Sequence, residues 1–282
     1  MAEPDKKQPI IQVVNLVKRF GGRTVLSGVN LEVYPGETVV VMGGSGCGKS
    51  TLLRHMIGSL FPDEGWVELF GQNLNELDEN GLNALRRRFG ILFQSGALYN
   101  SMTVADNVAL PLREHTELDE ETIGIMVMIK LEQVGLRQAA QRMPSEISGG
   151  MKKRAGLARA IALDPEILFY DEPSAGLDPV TSAEIDLLIT NLARKMGVTS
   201  VVVTHEMDSA FRIADRMVML DGGKVLKIGP RSEFEAMRDS PPTGDETHDL
   251  IRQFLRGDPE GPITARRLST GFETDILGAP RK

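Results

Sequence analysis

The chain has 282 residues, 41% of them hydrophobic, with one cysteine and a formal net charge of −7. That length and apolar content can bury a sizeable core, which excludes a small disulfide-stapled scaffold, and the negative balance argues against a protein whose main business is coating nucleic acid. The longest apolar runs, TVVVM at 38–42 and SVVV at 200–203, fall far short of the ~20 residues that span a bilayer as a helix.

The opening MAEPDKKQP is polar, with no apolar stretch behind its charges, and reads as a flexible tail over residues 1–9 without a secretory signal. A lone thiol, Cys47, makes no internal disulfide and suits a reducing compartment, so the expected setting is cytoplasmic. Residues 10–42 hold β-rich runs, IIQVVNLV, VLSGVNLEV and ETVVVMG, separated by turns at Gly21-Gly22 and Pro35-Gly36. They predict a small sheet feeding a buried strand. KSTLLRHMIGSL then reads as a helix, GWVELFG as a strand, LNELDENGLNALRRR as a helix, and FGILFQ as a strand ending at Gln94. The basic cluster Arg86, Arg87 and Arg88 reads as a solvated helix face. Between about 96 and 165 strand signals vanish, and TVADNVALPL, ETIGIMVMIKLEQVG and MKKRAGLARAIAL predict successive helices inserted between core strands. Alternation resumes with EILFY and with a helix carrying Ile185, Leu188, Ile189 and Leu192 at i, i+3, i+4 and i+7. SVVVT, DSAFRIAD and a hairpin turning at Asp221-Gly222 follow. From about 239 the composition becomes linker-like, with HDLIRQFLR as a short amphipathic helix, so 239–282 reads as an extension of a domain covering 10–238.

GGSGCGKST at 43–51 fits the pattern G-x-x-x-x-G-K-[ST] directly after an apolar strand and at the start of a helix. Its glycines let backbone N–H groups turn toward phosphate oxygens, and the helix N-terminus adds a favourable dipole. Gly43, Gly44, Ser45, Gly46, Cys47 and Gly48 form the loop, Lys49 reaches the β- and γ-phosphates, Ser50 is placed to ligate Mg²⁺, and Thr51 supports a phosphate contact. Cys47 sits at a variable position and takes no catalytic role; its thiol is expected to make the loop sensitive to alkylation. ILFYDEP at 167–173 is an apolar strand ending in two carboxylates. Beside a phosphate site Asp171 can hold Mg²⁺ while Glu172 orients the attacking water. Two acids at a strand end also suit an ordinary turn; the loop upstream favours the metal reading.

The ordered series of phosphate loop, Gln94, ISGGMKKR at 147–154, Asp171-Glu172, SAGLD at 174–178 and His205 resembles the ABC ATPase family over nearly all of residues 10–235. The resemblance implies an α/β fold: a P-loop NTPase core of ABC type with an N-terminal antiparallel β-subdomain, an inserted helical subdomain and a C-terminal extension. It implies ATP hydrolysis with Mg²⁺. Phe20 would stack on adenine, its alternative being a core Phe beside a turn. Gln94 would touch metal and water, and His205 would hold the γ-phosphate and the water. Ser148, Gly149 and Gly150 would bind the γ-phosphate held by a second copy in a homodimer, with Asp178 linking the two sites. Where the common signature is LSGGQ this chain has ISGGM, so Met151 lacks a polar contact; Tyr170 replaces a more usual aliphatic residue. Neither change removes a catalytic group.

LFQSGALYNSMTVADNVALPLREHT at 92–116, ISGGMKKRAGLARAIAL and IRQFLRGDPEGP at 251–262 are similar to the lipid-transporting Mla-type ATPases. That likeness implies a Mla-type permease, a periplasmic Mce-domain lipid-binding protein, a STAS-domain regulator on the helical subdomain and no nucleic-acid partner. It implies a peripheral position on the cytoplasmic face of a bacterial inner membrane, with phospholipid as cargo. A small-solute importer ATPase and a soluble ABC ATPase acting on nucleic acid are the alternatives. The apolar residues Leu250, Ile251, Phe254 and Leu255 need burial, and the tail beyond Asp239 is expected to find it on the neighbouring protomer.

Overall fold

The computed structural model describes residues 8–269, so most of the expected N-terminal tail and the segment 270–282 lie outside the described residues. The chain opens with β1 (Ile11–Phe20) and β2 (Arg23–Val33), an antiparallel pair joined at Gly21-Gly22, and passes through β3 (Thr38–Met42) into α1 (Lys49–Met56). β4 (Glu64–Leu69) and the two-residue β5 (Gln72–Asn73) complete a four-stranded sheet in the order β2-β1-β4-β5.

The second sheet has six strands. After α2 (Glu79–Arg86) comes β6 (Phe89–Leu92); then α3 (Val104–His115), α4 (Glu120–Gln133) and α5 (Gly149–Ala160) precede β7 (Ile167–Asp171). α6 (Pro179–Met196), β8 (Thr199–Thr204), α7 (Met207–Ile213) and the hairpin of β9 (Arg216–Asp221) and β10 (Lys224–Pro230) follow. The order is β10-β9-β3-β8-β7-β6, parallel except for β10 at one edge. Every residue of β3 is buried: Val39 and Val41 face the core shared with the first sheet, Val40 and Met42 the core shared with the helices. Two-faced burial is why this strand reads as an unbroken apolar run rather than an alternation.

Local chemistry corrects several expected boundaries. The segment LNELDENGLNALRRR is two pieces: a 3-10 turn at Leu74–Glu76, then α2. Asn73 accepts from the Asn75 N–H and Asp78 from the Gly81 N–H, so each side chain starts a new turn instead of continuing one helix. Arg86 and Arg88 are not simply a solvated face. They pair with Glu79 and Glu166, and the Arg88 guanidinium lies 3.7 Å from the centre of the Phe70 ring. The last hairpin turns at Gly222-Gly223, one residue later than expected, with φ of 52° and 77° that glycine adopts without strain.

The extension is the larger correction. α8 (Arg231–Asp239), α9 (Glu246–Arg256) and α10 (Pro262–Ser269) pack on one another, and Asp245 caps α9 through the His248 N–H. Leu250, Ile251 and Leu255 are buried in this chain's own core with Phe234 of α8. Those three need no second protomer, because α8 supplies the apolar surface that α9 covers, whereas Phe254 packs only partly buried against that core. No helix among the described residues is long and apolar enough to cross a membrane.

Candidate functional site

The parallel strands deliver their C-terminal ends to one edge of the sheet, where open α/β sheets place their ligands. β3 runs into the loop at 43–48, β7 ends at Asp171, and His205 directly follows β8. Gln94 lies two residues past the end of β6 rather than terminating it. In the loop, Gly43 has φ of 153°, and a Cβ there would sit 2.1 Å from the Leu220 carbonyl oxygen. Gly48 caps α1 at φ 110° and offers no side chain to the helix, which leaves the first N–H groups turned outward. Lys49 is buried, and its Nζ donates to the carbonyls of Gly43 and Gly44 at 2.8 and 3.1 Å. The turn at Gly222-Gly223 braces the loop: Gly223 N–H donates to the Cys47 carbonyl, and a Cβ at 223 would lie 2.3 Å from the Val25 oxygen.

Gly43→Ala is therefore expected to strain the loop at both its backbone angle and its contact with β9. The cost is about 2 kcal/mol or more, a fall in melting temperature of roughly 4–8 °C, with ATP binding lost alongside. Thermal unfolding and nucleotide titration of the variant check it; wild-type values for both would contradict the packing described.

Beyond the loop the carboxylates divide by environment. Ser50 Oγ donates to Asp171 Oδ1 at 3.3 Å, and burial pushes the Asp171 carboxyl up, a shift that the Ser50 hydroxyl opposes. A desolvated carboxylate beside a hydroxyl is a hard-oxygen pair that a divalent cation would stabilise. Glu172 adopts φ of 50°, a left-handed conformation that costs a non-glycine residue ~1–3 kcal/mol. Pro173 adds to the strain, since the residue before a proline favours extended backbone. The twist carries the Glu172 carboxylate to His205: Oε1 lies 2.9 Å from Nδ1, and Oε2 accepts from the His205 N–H at 3.3 Å.

Most of these groups line one cavity of about 1060 Å³. It contains Gly44, Ser45, Gly46, Gly48, Lys49, Ser50, Thr51, Gln94, Glu172 and His205, and Phe20 stands at its edge. Phe20 is 49% exposed at the tip of the first hairpin, so the core-Phe alternative fails. Gly43, Cys47 and Asp171 adjoin the cavity without lining it. The Cys47 thiol is buried, and desolvation pushes its pKa up, so less of it stands as reactive thiolate, which weighs against the expected sensitivity to alkylation.

The sequence reasoning missed Arg23, Thr24, Val25 and the turn glycines, which share the cavity. Pairing across the first hairpin, Phe20 with Arg23, was the signal that could have found them. Phe254 of α9 also reaches the cavity, and no local pattern announces that.

Ser148, Gly149 and Gly150 do not join this cavity. Ser148 caps α5, accepting from the Met151 N–H at 3.3 Å, and it is exposed together with Gly149. Gly150 is held against Thr181, where a Cβ would come within 2.5 Å of the threonine methyl. Asp178 caps α6 through the Val180 and Thr181 N–H groups, and the Thr181 hydroxyl that donates to it, together with those N–H bonds, holds its carboxyl below the usual range.

A strand-to-loop-to-helix cradle with lysine, hydroxyl and two acids from the end of a second parallel strand of the same sheet defines a P-loop nucleotide hydrolase. The ABC transporter family model matches residues 26–175. The chain is 42% identical over 256 residues to the intermembrane phospholipid transport system ATP-binding protein MlaF of Haemophilus influenzae, covering 91% of this chain and 94% of that one. It is 43% identical over 253 residues to the probable ribonucleotide transport ATP-binding protein mkl of Mycobacterium leprae, covering 90% of this chain and 70% of that one. The fold superposes on a dimeric post-hydrolysis state of the ATP-binding cassette MJ0796 bound to ADP and Pi, with a TM-score of 0.73 and 32% identity, over 78% of this chain and 98% of that one. The chain belongs to the ABC transporter family, as an ATP-binding and ATP-hydrolysing cassette.

Proposed function

We propose that two copies of this chain close head to tail around two ATP molecules and so drive phospholipid movement through a Mla-type permease. The observation that carries the dimer is the exposed Ser148-Gly149 turn: it lies outside the chain's own cavity, so its outward N–H groups are free to meet a triphosphate held by another copy. The phospholipid cargo draws support from the name and nearly full-length match of the MlaF relative.

Within each site Phe20 stacks on the base, and Lys49 and the loop amides hold the phosphates. Ser50, Gln94 and Asp171 are the oxygen donors suited to Mg²⁺, which when bound neutralises charge on the β- and γ-phosphates. Glu172 orients and deprotonates the attacking water, His205 steadies the γ-phosphate, and Asp178 lies near the dimer seam. We read the chain as one ATPase domain over 10–238, with a helical subdomain over about 96–165 and an extension from 239.

The helical subdomain offers a regulator its own surface. Ile125 and Ile129 of α4 are 58% and 52% exposed beside Met128, with Glu121, Glu132 and Arg137 around them, which suits a STAS-domain protein. The permease would seat near the segment after Gln94, with a periplasmic Mce-domain protein beyond it, and the chain on the inner-membrane face. Solubilised membranes carrying the tagged chain are expected to yield a lipid-type permease and an Mce-domain protein. A permease of small-solute type, such as the mkl relative's name would suit, contradicts the cargo reading and leaves the ATPase intact.

A further inference from the structure

α5 carries a buried ammonium that the hydrolysis scheme above does not use. Lys153 is only 5% exposed, and its Nζ donates to the backbone carbonyl of Glu172 at 2.9 Å. Burial lowers its pKa, opposed by the carboxylates of Glu206, Glu172 and Asp171. A buried charge is costly unless its bonds do something an apolar residue cannot. Here the acceptor is the carbonyl of the one strained, left-handed acid of the site. The peptide unit beyond it belongs to Pro173, which has no N–H to anchor it. The Glu172 backbone is otherwise tied by its N–H to the Val203 carbonyl and by the Ala175 N–H to its own carbonyl.

We propose that Lys153 is a positioning residue for ATP hydrolysis: by gripping the Glu172 carbonyl it fixes the backbone twist that aims the carboxylate into the cavity. The same helix begins at Ser148. Lys153 thus joins the turn that serves the partner copy's nucleotide to the acid that serves its own, and seating of the one is registered in the other. The inference rests on the reading of Glu172 as the water-orienting group.

The test uses the full chain. Lys153→Met keeps the length and packing but removes the donor, and is expected to lower kcat about 10- to 100-fold, as small misplacements of a reacting group do. ATP affinity, measured by nucleotide titration, stays within about two-fold, as expected when only transition-state interactions are lost. Lys153→Gln retains an N–H donor and is expected to keep most of kcat. Lys153→Leu supplies the same comparison where the Met variant does not accumulate as folded protein. A kcat for the donorless variant within about two-fold of wild type overturns the proposal. So does parallel loss of turnover and ATP binding, or equal loss in the Gln variant. Glu172→Gln run alongside separates the two readings: normal turnover there defeats the role of Glu172, whereas a dead Glu172→Gln with an active Lys153→Met defeats only this inference.

Discussion

Glu172→Gln is expected to reduce ATP turnover about 10²- to 10⁴-fold, the span associated with losing a positioned general base. ATP binding is expected to survive, because the nucleotide is held by the loop, Lys49 and Phe20 and not by the Glu172 carboxylate. The substitution is nearly isosteric, so the His205 N–H keeps an acceptor at the position it now reaches at 3.3 Å. What disappears is the negative charge that can take a proton from water. An assembly that binds ATP and cannot hydrolyse it should then persist as a nucleotide-held dimer on size-exclusion chromatography with ATP and Mg²⁺. Wild-type turnover in the variant would move the base elsewhere in the cavity.

The second large effect belongs to Lys49. Its ammonium donates to two loop carbonyls at the mouth of α1, and the same three donors can reach phosphate oxygens when a triphosphate enters. Charge-assisted bonds of that kind contribute ~1.5–3 kcal/mol, so Lys49→Ala is expected to weaken ATP binding about 10- to 150-fold, with hydrolysis falling at least as far. Equilibrium binding of a fluorescent ATP analogue measures it. An unchanged dissociation constant would contradict the phosphate role of the lysine, whatever the turnover.

The two variants should also differ in kind. Lys49→Ala is expected to lose the ATP-driven dimer because nucleotide is absent, while Glu172→Gln gains it because nucleotide stays. That opposite behaviour is hard to produce by general destabilisation, which would weaken both.

Much of this site was legible in the sequence for a physical reason. The β3 run and the glycines that follow it need to be contiguous, because a buried strand, a tight cradle and a helix start occupy successive residues. The pair Asp171-Glu172 is likewise bound to the end of its strand. The ordered series also revealed residues such as Gln94 and His205 that are ordinary when read singly.

Contacts made across the fold stayed hidden. Local pattern marked α9 as amphipathic but not its partner, so Leu250, Ile251 and Leu255 were assigned to a neighbour instead of to the core with Phe234. Phe254 and the cavity it lines share no sequence neighbourhood. Lys153 lies within the signature helix ISGGMKKR, and only the geometry sets its ammonium on the Glu172 carbonyl. The 3-10 break at Leu74–Glu76 was missed because the side chains of Asn73 and Asp78, not the apolar spacing, decide where those turns begin.

The arrangement of the two copies is tested most directly by solving the structure of Glu172→Gln with ATP and Mg²⁺. The expected result is two chains related by a twofold axis, each Ser148 hydroxyl or N–H within hydrogen-bond distance of the γ-phosphate seated in the other chain's loop at 43–48. A nucleotide-filled assembly in which Ser148 stands apart from every γ-phosphate would contradict it.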